Sequence, residues 1–188
     1  EHDGDQPVAS TAPGSHESAG ITLGDLTSPG LASLSIQTPS TTLTNDREAL
    51  YYYTVIDLYT RLAYAKVATR ILPGIAATAV LEARQAFGFP FAMIQTDNGP
   101  EYGRYFEQQM HRAGVQTRHS RLHRPNDNAH IERFNRTLQE ECIGHHWRKS
   151  VPLSRQKQNL NEYLDYYNHE RVHLGIQMQT PAGMLQRS

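Results

Sequence analysis

Hydrophobic and polar positions divide the chain into a polar first quarter and a patterned remainder. All aromatic residues lie within residues 51–167, and residues 1–49 contain none. Because this first quarter consists mainly of Ser, Thr, Gly, Pro, Ala and acids, it cannot bury enough apolar surface to offset the entropy lost on ordering. We therefore predict that residues 1–30 are disordered. Residues 31–45 are weakly strand-like, but Pro39 interrupts them.

From residue 51 onward, apolar positions recur with the periods of strands and helices. Tyr51–Asp57 is rich in β-branched and aromatic residues and is predicted to be a strand, with Ala63–Ala68 as its hairpin partner. A short, almost continuously apolar run at 91–96 is typical of a strand buried on both faces. The remaining pattern predicts helices over 75–87 and 103–113, an edge strand over 115–120, and helices that begin near residue 129 and after Pro152.

This order of elements predicts one α/β domain with a mixed central sheet. A chain of 188 residues is long enough for one domain with a substantial core. We place that domain at residues 49–188 and a disordered tail at residues 1–48. No apolar run approaches the roughly 18 residues needed to span a bilayer, and the single cysteine, Cys142, excludes an internal disulfide. We therefore expect a cytoplasmic protein without a membrane partner.

Charge is distributed unevenly along the chain. Residues 1–49 contain seven acids and one arginine, a net of −6, so the other residues carry +5 of the overall −1. Within residues 103–149, eight Arg and one Lys stand against five acids, a net of +4. A basic stretch of this kind is typical of a nucleic-acid-binding surface, although an ordinary solvated helix surface can have the same composition.

Two carboxylates stand in distinctive contexts, with 34 residues between them. Asp97 follows the apolar strand and precedes Asn98-Gly99-Pro100, and Glu132 lies early in an amphipathic helix beside Arg133. Acids at a strand end and on a neighbouring helix can share a divalent cation, and Mg²⁺ and Mn²⁺ prefer such oxygen ligands. Each acid alone also has a structural explanation, since an aspartate before Asn-Gly often forms a turn and a glutamate early in a helix complements the helix dipole.

The contexts of Asp97 and Glu132 resemble those of the last two acids in the Asp-Asp-Glu triad of retroviral-type integrases and bacterial insertion-sequence transposases. The resemblance covers about residues 51–187. Further segments that resemble the insertion-sequence group are Asp57-Leu58-Tyr59-Thr60-Arg61, His123-Arg124-Pro125-Asn126-Asp127-Asn128, and Tyr167-Asn168-His169-Glu170-Arg171-Val172-His173 with Thr180-Pro181-Ala182. One departure is that Ala129-His130 replaces the usual glycine before the glutamate.

The resemblance implies a ribonuclease-H-like mixed sheet flanked by helices, and metal-dependent phosphodiester strand transfer in DNA integration. Asp97 and Glu132 are then catalytic residues and metal ligands, for two Mg²⁺ or Mn²⁺ ions in an intact site. The implied partners are DNA, as transposon ends and target, and further copies of the chain, at the bacterial nucleoid; no small-molecule substrate is expected. The candidates for DNA phosphate contacts are Arg121, Arg124, Arg133 and Arg136.

The first acid of the triad has no counterpart where the resemblance predicts it. The family carries this acid on the strand before the Asp57 strand, which corresponds to residues 37–43, and no acid occurs there. Asp57 is not itself the matching triad residue. A site that lacks one carboxylate is expected to bind its metals poorly and to lose several kcal/mol of transition-state stabilisation.

One hypothesis explains both the missing acid and the unusual tail: residues 1–48 are translated out of frame. Read from its third base, the Gln37-Thr38 junction encodes Asp or Asn, and the junctions that follow permit an apolar and aromatic strand. The alternative is a natural disordered extension. The nucleotide sequence upstream of Tyr51 distinguishes the two, because an in-frame reading without an aspartate-bearing strand would contradict the hypothesis.

Three functional interpretations follow from these observations. The first is the catalytic core of a DNA transposase or integrase, impaired by the missing acid. The second is a non-catalytic DNA-binding remnant that retains the fold and the basic surface. The third is a ribonuclease-type hydrolase that uses the same metals on RNA–DNA hybrids, for which the terminal Tyr-Asn, Arg and His signature would not be needed.

Overall fold

The fold is a five-stranded sheet between two layers of helices, seen in a computed structural model that describes residues 28–37, 49–120, 128–144 and 152–187. The predicted α/β class is confirmed. The strands are β1 (Leu31–Gln37), β2 (Tyr51–Asp57), β3 (Ala63–Ala68), β4 (Met93–Thr96) and β5 (Gln116–His119). The helices are α1 (Pro73–Phe87), α2 (Arg104–Arg112), α3 (Ala129–Leu138), α4 (Leu153–His169) and the short α5 (Pro181–Met184).

The strand order across the sheet is β3-β2-β1-β4-β5. β1 pairs antiparallel with β2 and parallel with β4, while β5 extends the sheet in parallel at its edge. The predicted hairpin of β2 and β3 and the predicted edge position of β5 are both confirmed. Because β1 and β4 run parallel, their carboxyl ends meet at the same edge of the sheet.

The central strand β1 comes from the segment that the sequence assigned to the tail. Residues 31–37 lie between β2 and β4, with Ala32 and Leu34 fully buried. The sheet therefore extends on the N-terminal side of the predicted domain start at residue 49. The composition of the surrounding residues concealed this strand, because its four apolar residues stand among serines in a polar stretch that lacks aromatic residues. The other residues of the predicted tail, 1–27 and 38–48, lie outside the described residues.

Side chains on the two faces of the sheet belong to two separate cores. On one face, Ala32 and Leu34 pack in a cluster with residues of α1 and α2. On the other face, Leu31 packs in a cluster with residues of α3 and α4. The predicted apolar faces of α3 and α4 are confirmed, with the buried residues Ile131, Phe134, Leu138, Leu160, Tyr163, Leu164 and Tyr167. Odd-numbered β1 positions therefore point toward α3, because side chains alternate along a strand.

Buried Asp57 has a structural role at the end of β2. Its carboxylate accepts hydrogen bonds from the backbone N–H of Gly30, Tyr59 and Thr60 and from the Thr60 hydroxyl, at 2.8–3.2 Å. These bonds join the start of β1 to the turn between β2 and β3. This turn lies beyond the amino end of β1, because Asp57 pairs with Ala32. Asp57 is thus remote from the sheet edge where β4 ends.

In the part of the chain that the structure describes, helices that combine enough length and enough apolar character to cross a bilayer are absent.

Candidate metal centre

Asp97 follows the last residue of β4 and is exposed. Its carboxylate accepts a hydrogen bond of 2.9 Å from the backbone N–H of Gly99, which closes a tight turn. The ring Nδ1 of His119 lies 3.0 Å from the Asp97 carbonyl, and its Nε2 lies 3.1 Å from Glu107 Oε1. Hydrogen bonds therefore fix both the carboxylate and the carbonyl of Asp97, while the residue stays exposed to solvent.

Two opposing effects act on the pKa of His119. Burial lowers it, but the hydrogen bonds to the Asp97 carbonyl and to the Glu107 carboxylate outweigh burial, so the pKa lies above the usual histidine value. A protonated ring satisfies both acceptors, because both ring nitrogens then donate. His119 therefore links the Asp97 carbonyl to the Glu107 carboxylate of α2 and stabilises the turn at Asp97.

The amino end of α3 is fixed against the same edge of the sheet through Asn128. The Asn128 side-chain oxygen accepts a hydrogen bond of 3.2 Å from Gln95 Nε2 and lies 3.1 Å from the Ser120 hydroxyl oxygen. Ser120 in turn donates to the Thr96 carbonyl at 2.7 Å, and Asn98 donates to the Ser120 carbonyl at 3.2 Å. This network ties α3 to the residues on both sides of Asp97.

A second polar contact fixes the middle of α3 over β1 and β2. The Thr54 hydroxyl donates to the Asn135 side-chain oxygen at 2.7 Å and lies 3.3 Å from the Ser35 carbonyl. Glu132 lies four residues after Asn128 and three before Asn135, so the three share one flank of the helix. Glu132 is exposed and thus projects from α3 between two anchors that contact β4 and β2.

Ser35 is the β1 residue on this face that lies level with Asp97. The parallel register pairs Ser33 with Gln95, and continuing it by two residues brings Ser35 beside Asp97. Ser33 is 1% exposed, whereas Ser35 is partly exposed. The sequence placed the corresponding position at residues 37–43. The register instead indicates Ser35, two residues before that range, and residues 38–43 lie outside the described residues.

The chemistry available at this edge is that of hard oxygen ligands. Neither Asp97 nor Glu132 points into apolar packing, since both are exposed. Among the described residues, no group of three or more His, Cys, Asp or Glu side chains is arranged so that it could hold a metal ion. Carboxylate and hydroxyl oxygens are the kinds of ligand that suit Mg²⁺ or Mn²⁺, and a hydroxyl supplies less negative charge than an acid.

Several residues near the candidate centre were not singled out from the sequence. Glu101 folds back over Gly99, where an added Cβ would lie 2.5 Å from its Oε1. Asp97 and Glu101 both act on buried Tyr102, whose pKa is raised first by burial and then by these two carboxylates. The spacing of Glu101 from Asp97 across a Gly-Pro turn is the sequence signal that predicts this proximity.

The predicted DNA-binding arginines are only partly described. Arg133 and Arg136 both lie on α3 with exposed side chains. Arg121 and Arg124 lie outside the described residues, so their positions relative to Asp97 stay predictions. The basic character of α3 agrees with a phosphate-binding surface but does not by itself select a ligand.

Comparison with known proteins shows that residues 113–181 match the family described as integrase core domain. A protein of insertion element IS407 from Burkholderia multivorans is 29% identical over 131 residues, which are 69% of this chain and 46% of that protein. The transposase of insertion sequence IS904 from Lactococcus lactis is 30% identical over 95 residues, which are 49% of this chain and 36% of that protein. The chain thus spans less than half the length of these relatives.

Solved structures of retroviral integrases share the fold at low sequence identity. The catalytic core domain of BIV integrase superposes with a TM-score of 0.62 at 17% identity, covering 84% of this chain and 93% of that one. The HTLV-2 integrase catalytic core domain in complex with magnesium gives a TM-score of 0.59 at 15% identity, covering 82% and 95%. The predicted ribonuclease-H-like fold is confirmed. Residues 113–181 thus match the integrase core domain family in sequence, and the described residues share the fold of these structures.

Proposed function

We propose that this chain is the catalytic core of an insertion-sequence transposase, in which Asp97 and Glu132 share a divalent metal ion. The observation that supports this most strongly is the polar network that fixes α3 against the end of β4. Asn128 and Asn135 anchor the helix on both sides of Glu132, and the first of them bonds to Gln95, two residues before Asp97. These bonds satisfy the buried polar side chains of Gln95 and Thr54, and they also fix the part of α3 that carries Glu132 relative to β4 and β2.

The substrate that fits this site is DNA, and the metal that fits the carboxylates is Mg²⁺ or Mn²⁺. A pair of such ions activates a hydroxyl nucleophile and stabilises charge on the leaving oxygen of a phosphodiester. In this chain, the Asp97 and Glu132 carboxylates would hold metal, while His119 and Gly99 orient Asp97. The magnesium in the HTLV-2 integrase core and its occurrence in dimeric and trimeric forms support the metal and an oligomeric assembly here.

The missing first acid is part of the proposal. Ser35 occupies the position level with Asp97, and its hydroxyl supplies no charge to a metal. Two carboxylates then face up to four positive charges if two ions bind. We therefore infer that the chain, as it stands, transfers DNA strands slowly. The out-of-frame origin of residues 1–48 remains our explanation for the absent acid, and the upstream nucleotide sequence tests it.

The competing function is a DNA-binding remnant that performs no reaction. This function is favoured because the described residues include no group of three or more His, Cys, Asp or Glu side chains that could hold a metal ion. A ribonuclease-type hydrolase is the weaker alternative, since the terminal segment with Arg171 and His173 is well formed and packs on α4 through Tyr167. A hydrolase specific for RNA–DNA hybrids would not need this terminal segment.

A strand-transfer assay on the purified chain separates these possibilities. With a labelled duplex and Mn²⁺, we expect slow transfer that falls at least tenfold in Asp97→Asn, because this change removes one metal-binding charge but keeps the side-chain shape. Asp165→Asn, the same substitution at an exposed position of α4, is the matched control and should leave the rate unchanged. Equal, background-level products in wild type and Asp97→Asn would support the remnant, and preference for an RNA–DNA hybrid would support the hydrolase.

A further inference from the structure

A polar cleft lies along one side of α3. Its volume is about 430 Å³, and its walls come from the start of α3, the turn after β2 and the segment that follows α4. On α3, Ala129, Arg133 and Thr137 line it, and their spacing of four places them on one flank of the helix. Glu132 is not among the residues that line the cleft.

The charged side chains that line this cleft are all basic. The basic ones are Arg61, His130, Arg133, Arg171 and His173, and none of the described lining residues is acidic. Arg171 is balanced by Glu141, to which it is paired at 2.7 Å outside this lining. Arg61 and Arg133 thus contribute the charge that a ligand would meet. Ala129, the first residue of α3, also brings the positive end of the helix dipole to the cleft.

Arg61 is held in place rather than free to turn toward solvent. Its backbone has a positive φ of 67°, which is unusual for a residue other than glycine. The backbone N–H donates to the Asp57 carbonyl, and the guanidinium donates to the Leu58 carbonyl. Burial lowers the pKa of this guanidinium, as it does whenever a cation is removed from water. A strained backbone that fixes a partly buried cation is expected at a binding site.

Two histidines also line the cleft. Burial, with smaller contributions from Arg61 and Arg133, lowers the pKa of His130 to about 4. Burial and Arg171 likewise lower the pKa of His173. Both rings are neutral at pH 7, so each can donate one N–H to an acceptor without carrying charge. An anion in the cleft would relieve the unfavourable proximity of the arginines.

We propose that this cleft binds a phosphate of the DNA backbone, with Arg61 and Arg133 as the charged contacts. Phosphate fits because planar guanidinium groups bind its oxygens in pairs, and helix amino ends bind anions. The inference rests on the proposed function only in taking DNA as the ligand.

DNA binding without metal tests the cleft separately from the reaction. With a fluorescent 20-base-pair duplex in EDTA, we expect Arg133→Gln to weaken binding roughly five- to tenfold at 0.1 M salt. The slope of log K against log salt should fall by about one. Arg112→Gln, which removes an exposed arginine from the end of α2, is the matched control and should change affinity less than twofold. Equal losses in the two variants, or an unchanged Arg133→Gln, would overturn the proposal.

Ring resonances of the histidines locate the ligand. Adding the duplex, or inorganic phosphate alone, should shift the His130 and His173 signals, while His111 at the exposed end of α2 should not move. A response to inorganic phosphate without a response to duplex would identify a free-anion site and overturn the DNA assignment. Equal shifts of His111 and His130 would overturn the cleft itself. Because metal is absent, failure here leaves the roles of Asp97 and Glu132 untouched, and failed strand transfer leaves the cleft untouched.

Discussion

Replacing Ser35 with aspartate is expected to raise metal-dependent strand transfer by roughly 10²–10³-fold, because it adds a charged ligand beside Asp97. Ser35 is partly exposed and its side chain faces α3, so the new carboxylate meets water and metal rather than the apolar core. The parallel register of β1 and β4 brings position 35 level with position 97. The measurement is the initial rate of product formation on a labelled duplex at fixed Mg²⁺ or Mn²⁺.

Two variants control for this gain. Ser35→Asn has nearly the same size and polarity but no charge, and it should leave the rate within about threefold of wild type. Ser35→Asp combined with Asp97→Asn should lose the gain, because the new carboxylate acts only together with the old ones. A gain in Ser35→Asn equal to that in Ser35→Asp, or a gain that survives Asp97→Asn, would contradict the assignment of position 35.

The neighbouring substitution Leu34→Asp is expected to unfold the domain. Leu34 is 1% exposed on the opposite face of β1, within the cluster that also contains Val55, Ile94 and Phe106. The change removes a buried aliphatic side chain and places a carboxylate among apolar groups, at a combined cost of about 5 kcal/mol or more. Since a domain of this size is stable by roughly 5–15 kcal/mol, most molecules should lose cooperative structure.

Thermal unfolding followed by circular dichroism measures this effect. Ser35→Asp, one residue along the same strand, is the matched control and should shift the unfolding free energy by less than about 1 kcal/mol. A Leu34→Asp protein that unfolds at the wild-type temperature would show that β1 is not the central strand. The contrast between adjacent positions therefore tests the strand and its facing together.

The sequence predicted most of the fold because its strongest patterns are local. The aromatic and β-branched run at Tyr51–Asp57 and the helical apolar spacing of α4 both occur at the predicted residues. Gly88 ends α1 in the left-handed conformation, as its position predicts. Helix α1 begins at Pro73 rather than residue 75, because proline suits the first turn, where its missing N–H costs nothing.

The central strand β1 illustrates what sequence patterns conceal. The strand has only seven residues, Leu-Ala-Ser-Leu-Ser-Ile-Gln, which mix apolar and polar types. They are buried because β2 and β4, which are distant in sequence, pair on both sides. Pairing on both sides, not intrinsic propensity, accounts for this strand. The register that brings Ser35 level with Asp97 could not be predicted for the same reason, since register between strands cannot be read from one of them.

The sequence singles out the two acids of the candidate site, which stay predictions, but not the residues that support them. Asp97 and Glu132 stand out because their neighbours are distinctive. Asn128 and Asn135 do not, because amide side chains that bridge elements have no characteristic spacing of their own. The basic cleft was equally hidden: Arg61 and Arg133 are separated by 71 intervening residues, and only the packing of α3 beside the turn after β2 brings them to one cavity.

The most direct test of the account is whether Asp97 and Glu132 bind the same ion. The experiment is a Mn²⁺ titration in which free Mn²⁺ is measured by its electron paramagnetic resonance signal. It compares the wild type with Asp97→Asn, Glu132→Gln and the double variant. We predict that each single change removes most of the measurable binding and that the double change adds little, because the two carboxylates act on one ion. Losses that add independently, or Mn²⁺ binding that neither change affects, would contradict a shared metal centre.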